Sequence, residues 1–327
     1  MNNGRMDSGH GEQDRAGVPG ALGLIGATSF VGRRLLPLAA AAGWTVRAFS
    51  RRPSAGTAAG SSSATVEWAV LDAPDGETDG PIPFWVSLCP LWVLPERLGW
   101  LERRGVRRLV AVSSTSRFTK AGSSDPQERG TAAALAAAER AVLAWSVDRG
   151  VRLTILRPTL VYDGRNDRNI AAVAAFIRRR GWFPVLRPGM GLRQPVHVDD
   201  VAAACLSALT AEPALDAYDL SGAETLPYRE MVSRVFRSLG KPPRFVAVPA
   251  WAVRAAIPLV RMLPGFAGIS PAVFLRMNED LVFDHADAAR DLGFRPRSFT
   301  LTVDDGAPSA GPLPDRGSMP SMPRVPS

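Results

Sequence analysis

At 327 residues, 46% of them hydrophobic and 21% charged, the chain is long enough to bury one large core together with a smaller second lobe. Its two cysteines, Cys89 and Cys205, stand far apart in apolar surroundings and show neither a disulfide framework nor metal-ligand spacing, as expected of reduced core thiols. The formal charge of +8 is almost all arginine, because Lys120 and Lys241 are the only lysines. These cations are scattered, with Arg178-Arg179-Arg180 the densest run, and no aromatic-interleaved stripe marks a nucleic-acid surface.

The first twenty residues are polar and Gly-rich without an apolar segment, and read as a disordered leader rather than a secretory signal. Leu22–Gly26 then reads as a buried strand and Phe30–Ala42 as a helix. Between them Gly26-Ala27-Thr28-Ser29-Phe30-Val31-Gly32 must turn sharply with little side chain in the way. Such a turn aims backbone N–H groups at a pyrophosphate. Further strands are expected at Thr45–Phe49, Val66–Leu71, Phe84–Leu88, Leu109–Ser113 and Leu153–Leu156, alternating with helices of which the alanine-rich Thr131–Arg149 is the clearest. That alternation predicts an α/β fold, a doubly wound parallel sheet of the Rossmann type, over residues 21–160.

Beyond Arg157 the rhythm breaks at Pro158, Pro184, Pro188 and Pro195, and helices at Val198–Leu209 and Tyr228–Leu239 flank a strand-like Tyr218–Leu220. Residues 161–303 are expected to form mainly a smaller substrate-covering domain with excursions back to the sheet. Residues 304–327, rich in Pro, Gly, Ser and Asp, read as a disordered tail. The apolar stretch Phe245–Gly268 is broken by Arg254, Arg261 and three prolines, which rules against a membrane span, and burial in the second lobe is expected ahead of a membrane-surface role.

Four more segments carry a family resemblance. They are Ile155-Leu156-Arg157-Pro158 with Tyr162-Asp163-Gly164, Gln194-Pro195-Val196-His197-Val198-Asp199-Asp200-Val201-Ala202, Tyr218-Asp219-Leu220-Ser221-Gly222, and Leu292-Gly293-Phe294-Arg295-Pro296. With the glycine turn, in which Ser29 stands where a third glycine is usual, the chain resembles extended and atypical short-chain dehydrogenases/reductases of the NAD-dependent epimerase/dehydratase kind over roughly residues 21–300. Most of these segments also read as fold markers: Asp199 or Asp200 as the cap of a helix starting near Val201, and His197 as a structural hydrogen-bonding residue. The resemblance implies a nicotinamide dinucleotide held by Gly26, Thr28, Ser29, Phe30 and Gly32. It also implies that Asp72 meets the adenine amino group and that Leu88 lines the site with Cys89 and Pro90. The second strand ends in Ser50-Arg51-Arg52 with no carboxylate for the ribose hydroxyls. Ser50 and Arg51, with Arg33, suit a 2′-phosphate, so NADP is expected ahead of NAD, which stays open.

For chemistry, the resemblance implies a Ser or Thr after the fifth strand and a Tyr-x-x-x-Lys pair on the next helix, the lysine lowering the tyrosine pKa for proton exchange with substrate. Ser114 and Thr115 supply the first element. The register of Ala136–Arg140 puts Thr131 in the tyrosine position and Leu135 in the lysine position, and neither Tyr nor Lys occurs between Ala121 and Val161. Lys120 and Tyr162, on the loops after the fifth and sixth strands, are the substitute proton donors. Two readings therefore stand. One is an oxidoreductase acting on a small apolar carbonyl or alcohol, suited by the aromatic weight of Phe84-Trp85, Trp92, Trp100 and Trp182-Phe183. The other is a non-catalytic NAD(P)-binding sensor or accessory subunit, NmrA-like or of the respiratory complex I accessory kind. Either implies a cytoplasmic protein with a small-molecule partner, without a metal, a nucleic-acid partner or a membrane span, and the resemblance allows a homodimer.

Overall fold

The computed structural model describes residues 20–51, 66–71, 80–167, 169–212, 215–249 and 276–301. The expected leader up to residue 19, Arg52, Asp72, most of the apolar stretch after Phe245 and the 304–327 tail lie outside the described residues.

The chain opens β1 (Ala21–Ile25), α1 (Gly32–Ala41), β2 (Thr45–Ser50), β3 (Val66–Val70), β4 (Phe84–Ser87), a 3-10 turn at Leu91–Arg97, α2 (Leu98–Arg103) and β5 (Arg108–Val112). It continues with α3 (Ser116–Thr119), α4 (Pro126–Arg149), β6 (Arg152–Pro158), β7 (Val161–Tyr162), α5 (Ile170–Arg180), β8 (Phe183–Leu186), β9 (Leu192–Arg193) and β10 (Val196–His197). Then come α6 (Val198–Thr210), β11 (Ala217–Leu220), β12 (Leu226–Pro227), α7 (Tyr228–Ser238), β13 (Phe245–Val248) and, after a 3-10 turn at Arg276–Asn278, the helix Ala286–Leu292, here α8.

Seven strands form one sheet in the order β11-β6-β5-β4-β1-β2-β3, every pairing parallel. Continuous apolar runs such as Leu109–Ala111 suit strands covered on both faces. The first six strands stand where the sequence pattern expects them; the seventh, β11, comes from the second half and pairs Tyr218 with Leu156. Strand order reverses between β2 and β4 on either side of β1, which opens a crevice at the carboxyl ends there.

Two cores cover the sheet. On one face α1, α6 and α8 enclose Leu24, Leu35, Val86, Val201, Leu209 and Phe294. On the other, α2 and α4 enclose Ile25, Trp85, Leu101, Leu135 and Val142. Of the aromatic run, Trp85 packs inside this second core with Trp92 and Trp100 against it, Trp85 stacking on Phe49 (5.4 Å) and Trp100 meeting both edge-on, whereas Phe84 turns to the first core and meets Trp44 (5.2 Å). A third cluster, with Ile170, Ile177, Phe183, Val235, Phe236 and Phe299, is built by α5, β8 and α7 away from the sheet.

Helix boundaries differ from the sequence expectation for local reasons. α4 begins at Pro126 instead of Thr131, because the Asp125 side chain accepts from Gln127 N–H (2.9 Å) and Pro126 fits the first turn. α6 begins at Val198, capped by His197 Nδ1, which accepts from Asp199 N–H (3.2 Å). Asp199 and Asp200, expected as caps, lie inside the helix and hold guanidinium groups: Asp199 that of Arg34 (3.5 Å) and Asp200 that of Arg297 (2.8 Å).

Candidate functional site at the carboxyl edge of the sheet

The turn after β1 needs its glycines for two separate reasons. Gly26 has φ +81, a left-handed conformation, and a Cβ there would lie 3.0 Å from the Leu88 carbonyl carbon. At Gly32 a Cβ would meet the Gly26 carbonyl oxygen at 2.5 Å. Between them Ser29 closes the turn, its N–H donating to Gly26 O (2.9 Å) and its Oγ accepting from Gly32 N–H (3.1 Å). A serine in this position thus supplies a cap for α1 that a glycine would lack. Arg33 Nε donates to Thr28 O (3.1 Å), and Leu88 N–H donates to Ile25 O (2.9 Å), drawing the end of β4 against the turn. Among the described residues no acceptor faces the amides of Phe30 and Val31, two of the N–H groups that a helix start leaves free.

Positive charge borders this turn. Burial pushes the Cys89 thiol up, while the Ser87 hydroxyl 3.2 Å away and the cations of Arg97 and Arg51 act in the opposite direction. Both guanidinium groups therefore act on a thiol whose backbone touches Gly26. Arg51 was legible as the residue after β2. Arg97 was not, because it sits ten residues beyond Ser87 at the end of a 3-10 turn that only the fold brings back. Asp72 lies outside the described residues.

The reaction side is built differently. On α4 the buried residues Glu128, Ala132, Leu135, Glu139, Val142 and Ser146 recur at helical spacing, so one stripe faces the protein. Glu139, only 3% exposed, accepts from Ser113 Oγ (2.6 Å), from Arg157 Nη2 (2.6 Å) and Nε (3.1 Å), and from Arg117. Burial works to raise its carboxyl pKa, but these hydrogen bonds and charges outweigh it and the group ends below its ordinary value. Arg157 also lies 3.9 Å from Asp219, whose carboxyl burial pushes up. Thus Ser113, not its neighbours, meets the Glu139 carboxylate after β5. Glu139, Arg117 and Arg157 were not singled out as site residues from the sequence; the signal available was a carboxylate set directly after the run Ala136-Ala137-Ala138.

The structure keeps Ser114 and Thr115 together and separates the other two candidates. Ser114 Oγ accepts from Ser116 N–H (3.1 Å), and Thr115 Oγ1, buried, donates to Pro158 O (3.3 Å). Lys120 lies 3.9 Å from Glu128, which also holds Arg276 and accepts from Ser123 (2.7 Å); burial draws the Lys120 ammonium below its ordinary value. Tyr162 is fully buried in the third cluster, edge-on to Phe299 (4.8 Å) and His197 (5.2 Å), and burial pushes its hydroxyl up to about 12. Thr131 Oγ1 donates to Gln127 O (3.0 Å), while Leu135 packs into the second core. Beside this region Phe118, 45% exposed, lies between the guanidinium groups of Arg117 (5.1 Å) and Arg157 (5.3 Å) and faces Phe283 (6.1 Å).

A seven-stranded parallel sheet with a glycine turn at its reversal point places the protein in the Rossmann-like α/β class. Residues 97–220 match the model of the NAD dependent epimerase/dehydratase family. It is 28% identical, over 229 residues, to the mitochondrial NADH dehydrogenase [ubiquinone] 1 alpha subcomplex subunit 9 of Arabidopsis thaliana, covering 64% of this chain and 54% of that one. It is also 27% identical over 148 residues to the uncharacterized protein y4nG of Sinorhizobium fredii, covering 45% of this chain and 37% of that one. The chain spans about half or less of the length of these curated relatives. Among solved structures, MoeE5 in complex with UDP-glucose and NAD superimposes with a TM-score of 0.60 at 20% identity, covering 85% of this chain and 94% of the other. UDP-N-acetylglucosamine 4-epimerase from Bacillus cereus gives 0.61 at 13% identity, with 86% and 95% covered. Among the described residues no helix is long and apolar enough to cross a membrane, and no cluster of His, Cys, Asp or Glu could hold a metal ion.

Proposed function

We propose that this chain binds a nicotinamide dinucleotide at the turn after β1 and holds it without the proton relay that short-chain dehydrogenases/reductases carry on α4. The observation that carries this reading is Leu135, packed into the core where the resemblance places the relay lysine, with Thr131 in the tyrosine position. A leucine neither binds a ribose hydroxyl nor lowers a neighbouring pKa. The cradle itself suits the cofactor: amides of Phe30 and Val31 for the pyrophosphate, with Gly26, Thr28, Ser29, Gly32 and Leu88 around it. Arg51 and Arg97, with Ser50 and no carboxylate at the end of β2, favour NADP(H) over NAD(H). The likeness to a named subunit of NADH dehydrogenase supports an accessory, cofactor-holding role. In this reading residues 21–160 are the dinucleotide-binding domain and most of 161–303 the covering domain.

Fluorescence titration of the full chain with NADPH and NADH tests this. We expect saturable NADPH binding, weakened about tenfold in Arg51→Ala and in Arg97→Ala, since one charge-assisted hydrogen bond contributes about 1.5 kcal/mol. Tighter NADH than NADPH binding overturns the cofactor preference, and no binding of either overturns the reading.

A second reading, an oxidoreductase for a small apolar carbonyl or alcohol, is favoured by the exposed Phe118 facing Phe283 beside Ser114. The bound nicotinamide would supply or accept the hydride, and Lys120 or Tyr162 the proton. Carbonyl-dependent oxidation of NADPH that is lost in a Lys120→Ala/Tyr162→Phe variant would establish it. Failure of every carbonyl tested, with NADPH binding intact, leaves the cofactor-holding role.

A further inference from the structure

Most arginines of the described structure that lie near a carboxylate are paired with it, as Arg117 and Arg157 are with Glu139, Arg234 with Glu224 and Arg297 with Asp200. One corner gathers several without such a partner. Arg178, Arg179 and Arg180 form the last turn of α5, all three exposed, and among the described residues none meets a carboxylate. Lys241 Nζ sits at the same helix end, donating to Arg178 O (3.0 Å) and Ile177 O (3.4 Å), so its charge adds to theirs. Arg244, exposed, joins them because Phe183 N–H donates to its carbonyl oxygen (2.9 Å). One cation near a helix C-terminus is explained by the macrodipole. Five gather within one corner, with no carboxylate partner among the described residues.

The same corner carries apolar surface. Trp182, half-buried, packs edge-on against Phe176 (5.3 Å), which also meets Phe183 (5.6 Å). Pro242 and Pro243 are exposed between the two cations, and Val246 on the neighbouring β13 is 47% exposed. Tryptophan beside arginines is the composition of a surface that sits at lipid headgroups. The sequence agrees: from Phe245 to Asn278 there is no Asp or Glu, while Arg254, Arg261 and Arg276 punctuate an apolar run.

We propose that the corner formed by Arg178–Arg180, Trp182, Lys241 and Arg244 docks the protein peripherally on an anionic phospholipid surface. The cations supply the attraction and Trp182 the interfacial anchor. A nucleic acid would meet the same charge, but a patch confined to one helix end and one loop, with apolar residues between its cations, suits a flat headgroup layer better than a phosphate backbone.

The test is sedimentation of the full chain with vesicles of pure phosphatidylcholine and with vesicles that also contain phosphatidylglycerol. We expect binding to the second kind only, weakened by added salt. In Arg178→Gln/Arg179→Gln/Arg180→Gln it should fall roughly a hundredfold, at about 1 kcal/mol per arginine near the surface. An Arg149→Gln/Arg152→Gln/Arg290→Gln variant removes equal charge elsewhere and should bind like the parent, and circular dichroism verifies that both variants are folded. Trp182→Ala should weaken binding while leaving its salt dependence in place. No binding to phosphatidylglycerol vesicles, equal loss in the two triple variants, or binding to an RNA oligonucleotide without binding to vesicles overturns the proposal.

Discussion

The turn after β1 and the inner face of α4 belong to the same carboxyl edge, yet they solve opposite problems. At the turn, side chains are absent or small, and backbone N–H groups stay uncommitted beside Arg51 and Arg97. On the inner face of α4 the two buried carboxylates are committed: Glu139 to Ser113 and two arginines, Glu128 to Arg276, Ser123 and Lys120, and Leu135 between them is core. A surface that binds a ligand must keep unmet hydrogen-bonding capacity, whereas a surface that stabilises the fold uses it up. The proposed cofactor-holding reading rests on this contrast between an uncommitted turn and a committed helix face.

The largest test of that contrast is Glu139→Leu, which strands Arg157 and Arg117 against a buried apolar side chain. Breaking a buried ion pair by removing one partner costs about 3–5 kcal/mol, read as a lower midpoint in urea denaturation. A loss under ~1 kcal/mol, the range of a surface pair, would mean the network is solvated and α4 is not committed.

Next is Leu135→Lys. If this position is core, an unpaired ammonium there should cost about 2–4 kcal/mol through lost packing and desolvation. Thr131→Tyr, at a half-buried position, should change stability by less than about 1 kcal/mol. Tolerance of the lysine would show that the face opens onto a polar groove, and the relay could then be rebuilt.

Gly32→Ala probes the other side of the comparison. Its Cβ must displace the Gly26 carbonyl, an overpacking cost of about 1–3 kcal/mol, and dinucleotide affinity should drop by more than the loss of stability alone explains. Unchanged NADPH affinity would remove the turn from the binding site.

The smallest effect expected is on acid stability. Glu139 and Glu128 have carboxyl pKa values below the ordinary one, so the unfolded chain takes up protons more readily and stability falls as pH drops through the usual carboxylate range. His197 has the same sign one step earlier: burial holds its imidazole below the ordinary value, so its contribution, present above about pH 6.5, fades as pH falls. Its ring faces Asp199, Asp200, Arg297 and Arg34, and nearby Tyr162. Thermal unfolding from pH 7.5 to 4 would show a shallow and then a steep decline; a flat profile would mean that neither group is perturbed.

Much of this was legible from residues alone. Apolar runs placed six sheet strands in order, and the spacing of Gly26 and Gly32 located the turn at the point where the strand order reverses. The role of Ser29 as a cap was not, because its hydrogen bond to Gly32 depends on the turn already being formed. His197 was expected to be structural, while its office as the α6 cap went to Asp199 or Asp200 by type preference; those carboxylates are drawn off by Arg34 and Arg297, the latter 97 positions from Asp200. Lys120 and Tyr162 read as neighbours on adjacent loops, and the fold sends one to Glu128 and the other into the third core.

By itself the sequence determined the alternation of strand and helix and the sharp turn after β1, because both follow from local periodicity and from the space around a glycine backbone. Tertiary structure alone decided that Leu135 is core, that Ser113 meets Glu139 where Ser114 does not, and that the charges of Arg97 and Arg51 both act on Cys89. Those outcomes depend on which distant charges and surfaces meet, and the chain pattern carries no local record of such meetings.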